Sequence, residues 1–264
     1  MKYTLGHYVR WALSVHFVRW TLLVLGAIAV SGGSAAQASW QVLVPAQSAT
    51  SIPAAGLVVG DKTFSNFSLI GTAQGGGVAP TLAGFVIEGG QETTTGDYGI
   101  HLIMNLSAAA GQLVDGNLQY QVSVNNSAFK IKDASLILAS ASASGNGVVN
   151  VSEMIYASNS ILALPIASLV GVVQQPPGVN VTVSNQTFSP VSTLYIHKDI
   201  SASGGLTGSG HISEMYQTFS QSAVATPEPE SIVMMATGGL FIGGIVIRNR
   251  KRRNNGTHNQ ENIL

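Results

Sequence analysis

Short runs in which oily residues alternate strictly with polar ones dominate the middle of the chain. In LQYQVSVN, Tyr120, Val122 and Val124 alternate with Gln119, Gln121 and Ser123. In VNVTVSN, Val179, Val181 and Val183 alternate with Asn180, Thr182 and Ser184. Successive side chains of a strand point to opposite faces, so a period of two in β-branched and aromatic residues marks a half-buried strand. The same reading predicts strands at 41–44, 62–70, 84–88, 99–106, 135–139, 148–156, 192–200 and 211–219. Gly, Asn, Ser and Pro clusters such as GTAQGGG, VDGN and QQPPG separate them. No helical period runs through residues 39–222. The expected fold class is all-β, an antiparallel, jelly-roll-like β-sandwich over 39–222.

Composition supports an ordered domain with few charges. Charged residues make up 9% of the 264-residue chain, against about 25% in ordinary soluble domains. The steady supply of Val, Ile and Leu argues against disorder. Between residues 39 and 227 only Lys62, Lys130, Lys132 and Lys198 are basic, against nine carboxylates. A mildly acidic middle lacks the basic footprint that nucleic-acid binding needs. The chain has no cysteine, which excludes disulfides, thiolate metal sites and a cysteine nucleophile.

The basic residues sit at the ends. Lys2, Arg10 and Arg19 precede an apolar run over 20–30, and Ala36-Gln37-Ala38 follows it. Positive flank, oily run and small residues at the cleft are the parts of a signal peptide, expected over 1–38, with signal peptidase cutting after Ala38. An uncleaved N-terminal anchor is the alternative. Near the other end, residues 232–247 carry no charge. As a helix they would rise ~24 Å at 1.5 Å per residue, short of a ~30 Å hydrocarbon core. Flanking arginines that snorkel can close such a gap. Arg248, Arg250, Lys251, Arg252 and Arg253 follow at once, and the positive-inside rule keeps them cytoplasmic, with the middle of the chain outside. A linker at 223–231 precedes the helix and a basic tail at 248–264 follows it. Gly239 and Gly243 form a GxxxG pair, a weak pattern in so glycine-rich a helix.

Pro227-Glu228-Pro229 is stiff and extended, and it stands just ahead of that helix. Pro-Glu-Pro, a Gly-rich apolar helix and an arginine cluster, in this order over 226–253, resemble the PEP-CTERM sorting signal. The resemblance implies a bacterial exported protein processed near Pro-Glu-Pro by an exosortase. The tail NNGTHNQENIL departs from it, because such signals usually stop soon after the basic cluster. A permanent anchor is the alternative. VGDKTFSNFSL and STLYIHKDI…YQTFSQ are similar to a recurring uncharacterised domain of PEP-CTERM proteins, which carries no known activity.

There is also an internal echo. ASLILASASASGNGVVNVSEM (134–154) resembles STLYIHKDISASGGLTGSGHISEM (192–215), and both read as a strand, a Ser-Ala-Ser-Gly turn and a second strand, that is, as two related hairpins.

Enzyme signatures are missing: there is no GxSxG, no Walker loop and no HExxH. The nearest constellation is His197 and His211 in neighbouring strands with Asp199, Glu153 and Glu214, a set that could relay protons or hold a metal. His197 and Asp199 share a strand face among plain polar residues, and a solvated face is the commoner outcome. Glu88, Glu92 and Asp97 in the segment EGGQETTTGD form the densest carboxylate group, where calcium would need converging oxygens. Trp40, Tyr98, Tyr120, Tyr156, Tyr195 and Tyr216 are the rings available to stack on sugars, although strand tyrosines usually pair across strands. The expectation is therefore no catalytic residue, metal or cofactor. The partners are signal peptidase and export machinery, exosortase, the membrane through 232–247, and extracellular polysaccharide. The leading reading is a structural or adhesive surface or matrix protein. A secreted glycan-binding module or hydrolase is the rival. A pocket gathering His197, His211 and a carboxylate would favour the hydrolase, and a sheet face lined with exposed rings would favour glycan binding.

Overall fold

The computed structural model describes residues 39–160, 162–175 and 180–224. The expected signal helix and cleavage site (Ala36, Ala38), the Pro227–Pro229 motif, the 232–247 helix and the basic cluster lie outside the described residues. Among the described residues, no helix is long and apolar enough to cross a membrane.

Thirteen strands are described: β1 (Trp40–Ser48), β2 (Leu57–Val59), β3 (Lys62–Gln74), β4 (Val86–Glu92), β5 (Tyr98–Ala108), β6 (Leu113–Val124), β7 (Phe129–Ser144), β8 (Val148–Tyr156), β9 (Ala167–Gln174), β10 (Asn180–Val181), β11 (Val183–Val191), β12 (Thr193–Ser203) and β13 (Ser209–Ala223). They form two sheets. The six-stranded sheet runs β1-β4-β5-β13-β7-β11, and the seven-stranded sheet runs β10-β9-β8-β12-β6-β3-β2. Every pairing is antiparallel. The all-β, two-sheet expectation holds, with layers larger than the four-stranded sheets of a jelly roll.

Alternation decides what is buried. On β6, Val114, Leu118, Tyr120 and Val122 are buried, and Gln119, Gln121 and Ser123 face outward. Leu194, Ile196, Ile200 and Ala202 do the same on β12. Residues from both sheets, among them Phe64, Phe85, Ile100, Leu118, Leu136, Ile155 and Phe219, form one core cluster. Fully burying each large apolar side chain stabilises by about 1.5–3 kcal/mol, which a chain without disulfides depends on.

Register shifts interrupt this pattern in several strand pairs, and those on β3 and β13 bear on where Phe67 and Glu214 point. Asn66 adopts φ 58°, and the β3–β6 register shifts between Ser65 and Ser68. Asparagine tolerates this left-handed backbone better than most residues. After the shift, Phe67 packs on Tyr120 with ring centroids 5.3 Å apart. On β13 the register shifts between Ile212 and Glu214, which matters for the internal echo. The Ser-Glu-Met of β8 turns Glu153 into the core and leaves Met154 48% exposed. The Ser-Glu-Met of β13 buries Met215 and turns Glu214 outward. The register irregularity exchanges the faces of two Ser-Glu-Met segments of equal length.

Two expectations need correction. The echoed segments are not hairpins: β7 pairs with β13 and β11, while β8 pairs with β12 and β9. Each segment is an arch that crosses between sheets, because the β-strands run on through Ser-Ala-Ser and the chain turns only at the following glycines. The two arches meet at their turns, where Thr207 Oγ1 donates to Asn146 Oδ1 at 2.6 Å. A Cβ at Gly208 would lie 2.0 Å from the Ser144 carbonyl oxygen, so only glycine allows this approach. The VNVTVSN run is also divided. Asn180–Val181 pairs with β9 at one edge, Val183 begins β11 at the edge of the other sheet, and Val183 is 39% exposed.

Candidate functional site

The outer face of the six-stranded sheet gathers three rings and two carboxylates from four strands. Tyr216 (β13) lies directly opposite His101 (β5) in register, and their rings stack with centroids 4.2 Å apart at 19°. Glu88 (β4) lies opposite His101 on the other side. Trp40 enters from β1 at the sheet edge, 5.0 Å from the Tyr216 ring and 6.5 Å from the His101 ring. Its indole N–H donates to Glu88 Oε1 at 2.9 Å. The indole can reach over because position 90 is glycine: a Cβ there would fall 2.5 Å from the ring. His101 Nδ1 is 3.4 Å from Glu88 Oε1, and its Nε2 is 3.6 Å from Glu214 Oε2. Burial first, then the charges of Glu214 and Glu88, pushes the Tyr216 phenol up from its ordinary value, so it remains a neutral donor.

This is a half-buried aromatic face with carboxylates at its margins. Flat rings stack on the apolar faces of sugars, and carboxylates accept from their hydroxyls. Sequence reading had Trp40 and Tyr216 as scattered rings and did not single out His101. The signal that could have joined them is phase: His101 and Tyr216 each occupy the outward phase of their strand.

The five-residue His/carboxylate constellation does not assemble. β12 and β13 belong to different sheets, so His197 and His211 are not neighbours across a hairpin. His197 packs against Tyr156, with centroids 4.9 Å apart, and burial pulls its imidazole below the ordinary value. These two rings, with Ser158, Asn159, Ser160 and Ala163, line an open pocket of about 380 Å³ on the seven-stranded sheet. His211 lies between Ser107 and Ser142 in register. Glu214 sits beside His101, and Glu153 lies in the core.

The Glu88, Glu92 and Asp97 carboxylates also serve separate ends. Glu88 holds Trp40. Glu92 accepts from the Thr94 and Thr95 backbone N–H groups at 3.0 and 2.8 Å and so closes the β4–β5 turn. Burial works to raise the Glu92 carboxyl, but these hydrogen bonds outweigh it and hold the group below its ordinary value. Burial raises that of Asp97. Among the described residues, no group of three or more His, Asp or Glu could hold a metal ion.

Asp199 belongs to a different pair. It faces outward on β12, and burial, followed by the neighbouring Asp115 carboxylate, pushes its pKa up from 3.8 to about 6. A carboxyl raised on folding stabilises when protonated. That contribution is full below pH 3.8 and is lost as pH rises through about 6. Asp199→Asn is expected to remove the loss. Relative to wild type, its melting temperature at pH 7.5 should rise by roughly 2–4 °C, about 1 kcal/mol after solvent screening of a half-exposed group. At pH 4.5 the difference should shrink. Melting curves with the same pH slope in both proteins would contradict the pairing.

No family model matches the sequence, and no curated protein matches it. Among solved structures, one match is the carbohydrate-binding module TmCBM61 in complex with β-1,4-galactotriose. It is 10% identical, with 56% of this chain and 86% of that chain covered and a TM-score of 0.26. At that score the likeness carries no argument about this chain.

Proposed function

We propose that this chain is an exported cell-surface or matrix protein whose β-sandwich adheres to extracellular polysaccharide through the Trp40–His101–Tyr216 face. On this reading residues 1–38 direct export and residues 232–247 park the precursor in the membrane. Arg248, Arg250, Lys251, Arg252 and Arg253 hold its end inside, and an exosortase cuts at Pro227-Glu228-Pro229. Support for export and processing is the order of sequence parts at the two ends. Adhesion is carried by one observation: three ring side chains from different strands converge on an outer sheet face, flanked by Glu88 and Glu214.

Adhesion is read by affinity electrophoresis of the exported product through gels loaded with the producing cell's own extracellular polysaccharide. Trp40→Ala and Tyr216→Ala are each expected to weaken retardation about tenfold, the loss of ~1.4 kcal/mol from one stacking contact. Once residues 1–38 are removed, Trp40 is the sole tryptophan, so its emission reports the same binding directly. The pocket at Tyr156 and His197 is the second place a sugar could lodge, because it joins two rings to short polar side chains. Weakened binding in Tyr156→Ala with none in Tyr216→Ala would move adhesion to that pocket. Wild-type protein that is not retarded at all would end the adhesive reading.

A further inference from the structure

Three polar side chains meet in the middle of the apolar core, remote from the outer aromatic face. Lys198, Glu153 and Gln217 are each 0% exposed. Lys198 and Glu153 lie directly opposite on β12 and β8 of the seven-stranded sheet. Gln217 reaches in from β13 of the other sheet. Lys198 Nζ donates to Glu153 Oε2, and it donates to Gln217 Oε1 at 2.7 Å. Tyr120 borders the group from β6, fully buried.

As a salt bridge this cluster is poorly satisfied. An ammonium has three donors, and only two acceptors face Nζ. Glu153 Oε1, Gln217 Nε2 and the Tyr120 hydroxyl have no partner at all. Orphaned polar atoms and a buried ion pair in an apolar core are both costly. Burial pulls the Lys198 amine down and pushes the Glu153 carboxyl up, which favours a neutral amine beside a neutral acid. A neutral amine carries a free lone pair. The Gln217 carbonyl carbon lies within ~4 Å of it, because the C=O bond adds about 1.2 Å to the 2.7 Å contact.

We propose that Lys198 and Gln217 condense into an amide cross-link that ties the two sheets together covalently, with Glu153 carrying the proton. Glu153 first takes a proton from the Lys198 ammonium. The Nζ lone pair then attacks Gln217 Cδ, forming the C–N bond and pushing the carbonyl electrons onto Oε1. Glu153 gives its proton to the departing Nε2 and takes one from Nζ as the Cδ–Nε2 bond breaks. The products are one amide, one ammonia and a protonated Glu153; no oxidant, reductant or cofactor is consumed. Holding amine, acid and amide together without competing water supplies the proximity such a step needs.

The product also satisfies the cluster better than the reactants do. The charge pair is gone, and the orphaned Nε2 has left as ammonia. The single remaining N–H points to Glu153, whose acid O–H can donate to the new carbonyl. For an exported sandwich without cysteine, this bond does the work of a disulfide, joining β12 to β13 across the core.

Peptide mass spectrometry of the purified, denatured full chain tests it. Lys198 is the sole trypsin site between Lys132 and Arg248. The expected result is no cleavage after Lys198, and a peptide spanning residues 133 onward that is lighter by one ammonia. Fragment ions should place the link between Lys198 and Gln217. Glu153→Gln and Lys198→Arg should each restore the unshifted mass, and Glu153→Gln should restore cleavage after Lys198. Wild-type protein that trypsin cuts after Lys198 at unshifted mass overturns the proposal, whatever the variants do. So does loss of one water linking Lys198 to Glu153, or an ammonia loss located at an asparagine.

Discussion

Glu153→Ala is expected to cost the domain about 3–5 kcal/mol, because without Glu153 the Lys198–Gln217 link does not form and the Lys198 amine is left buried without its acid partner. At roughly 2–4 °C per kcal/mol for a domain of this size, the melting temperature should fall by about 6–20 °C. The reason is positional. Glu153 and Lys198 are both 0% exposed, and without the carboxylate Lys198 keeps only the Gln217 carbonyl as a partner. A lone ammonium among Ile155, Ile196 and Ile200 has no water to turn to. The double variant Glu153→Leu, Lys198→Met strands no charge and should cost less than either single change. Thermal unfolding of wild type, Glu153→Leu, Lys198→Met and the double variant checks this non-additivity. Singles that melt within about 2 °C of wild type, less than 1 kcal/mol, would mean that the pair is not in the dry core.

Neutralising Arg248, Arg250, Lys251, Arg252 and Arg253 together is expected to have the largest effect on where the protein goes. On the proposed topology, a short apolar helix is kept from passing through the membrane by cations that remain in the cytosol. Each basic residue beside an anionic leaflet contributes ~1 kcal/mol, so five supply on the order of 5 kcal/mol of preference for one orientation. Without them the precursor should be released whole or inserted the wrong way round, and in either form the Pro-Glu-Pro bond is no longer held beside its protease. Cell fractionation with immunoblotting reads both outcomes as an uncut protein in a new compartment. An unchanged location and an unchanged size would remove the stop-transfer role from the basic cluster.

Where side-chain alternation is clean, the strands were legible. β8 occupies the expected 148–156, and β6 shows the expected division between buried Tyr120 and Val122 and outward Gln119 and Gln121. β9 went unread because Leu169, Val170, Val172 and Val173 give no alternation by type. Its inward phase includes Gly171, where a Cβ would fall 2.7 Å from Leu138. β7 and β12 were read short, since Ser-Ala-Ser looks like a turn until its neighbours supply a ladder. Bulges hid the rest: no local pattern announces that Glu214 faces out where Glu153 faces in. The core cluster was readable in principle. Lys198 stands in phase with Ile196 and Ile200, Glu153 with Val151 and Ile155, and Gln217 with Met215 and Phe219. A charged residue in the inward phase of a good strand is ordinarily taken for noise, and here it marks the interior.

On the proposed function, both ends of the chain are address labels that are removed. The intact mass of the product recovered from the cell surface or medium tests this most directly. The account predicts a chain that begins at Ser39 and ends close to Pro229. A product that keeps residues 232–247 and the basic tail, or begins ahead of Ser39, would contradict it.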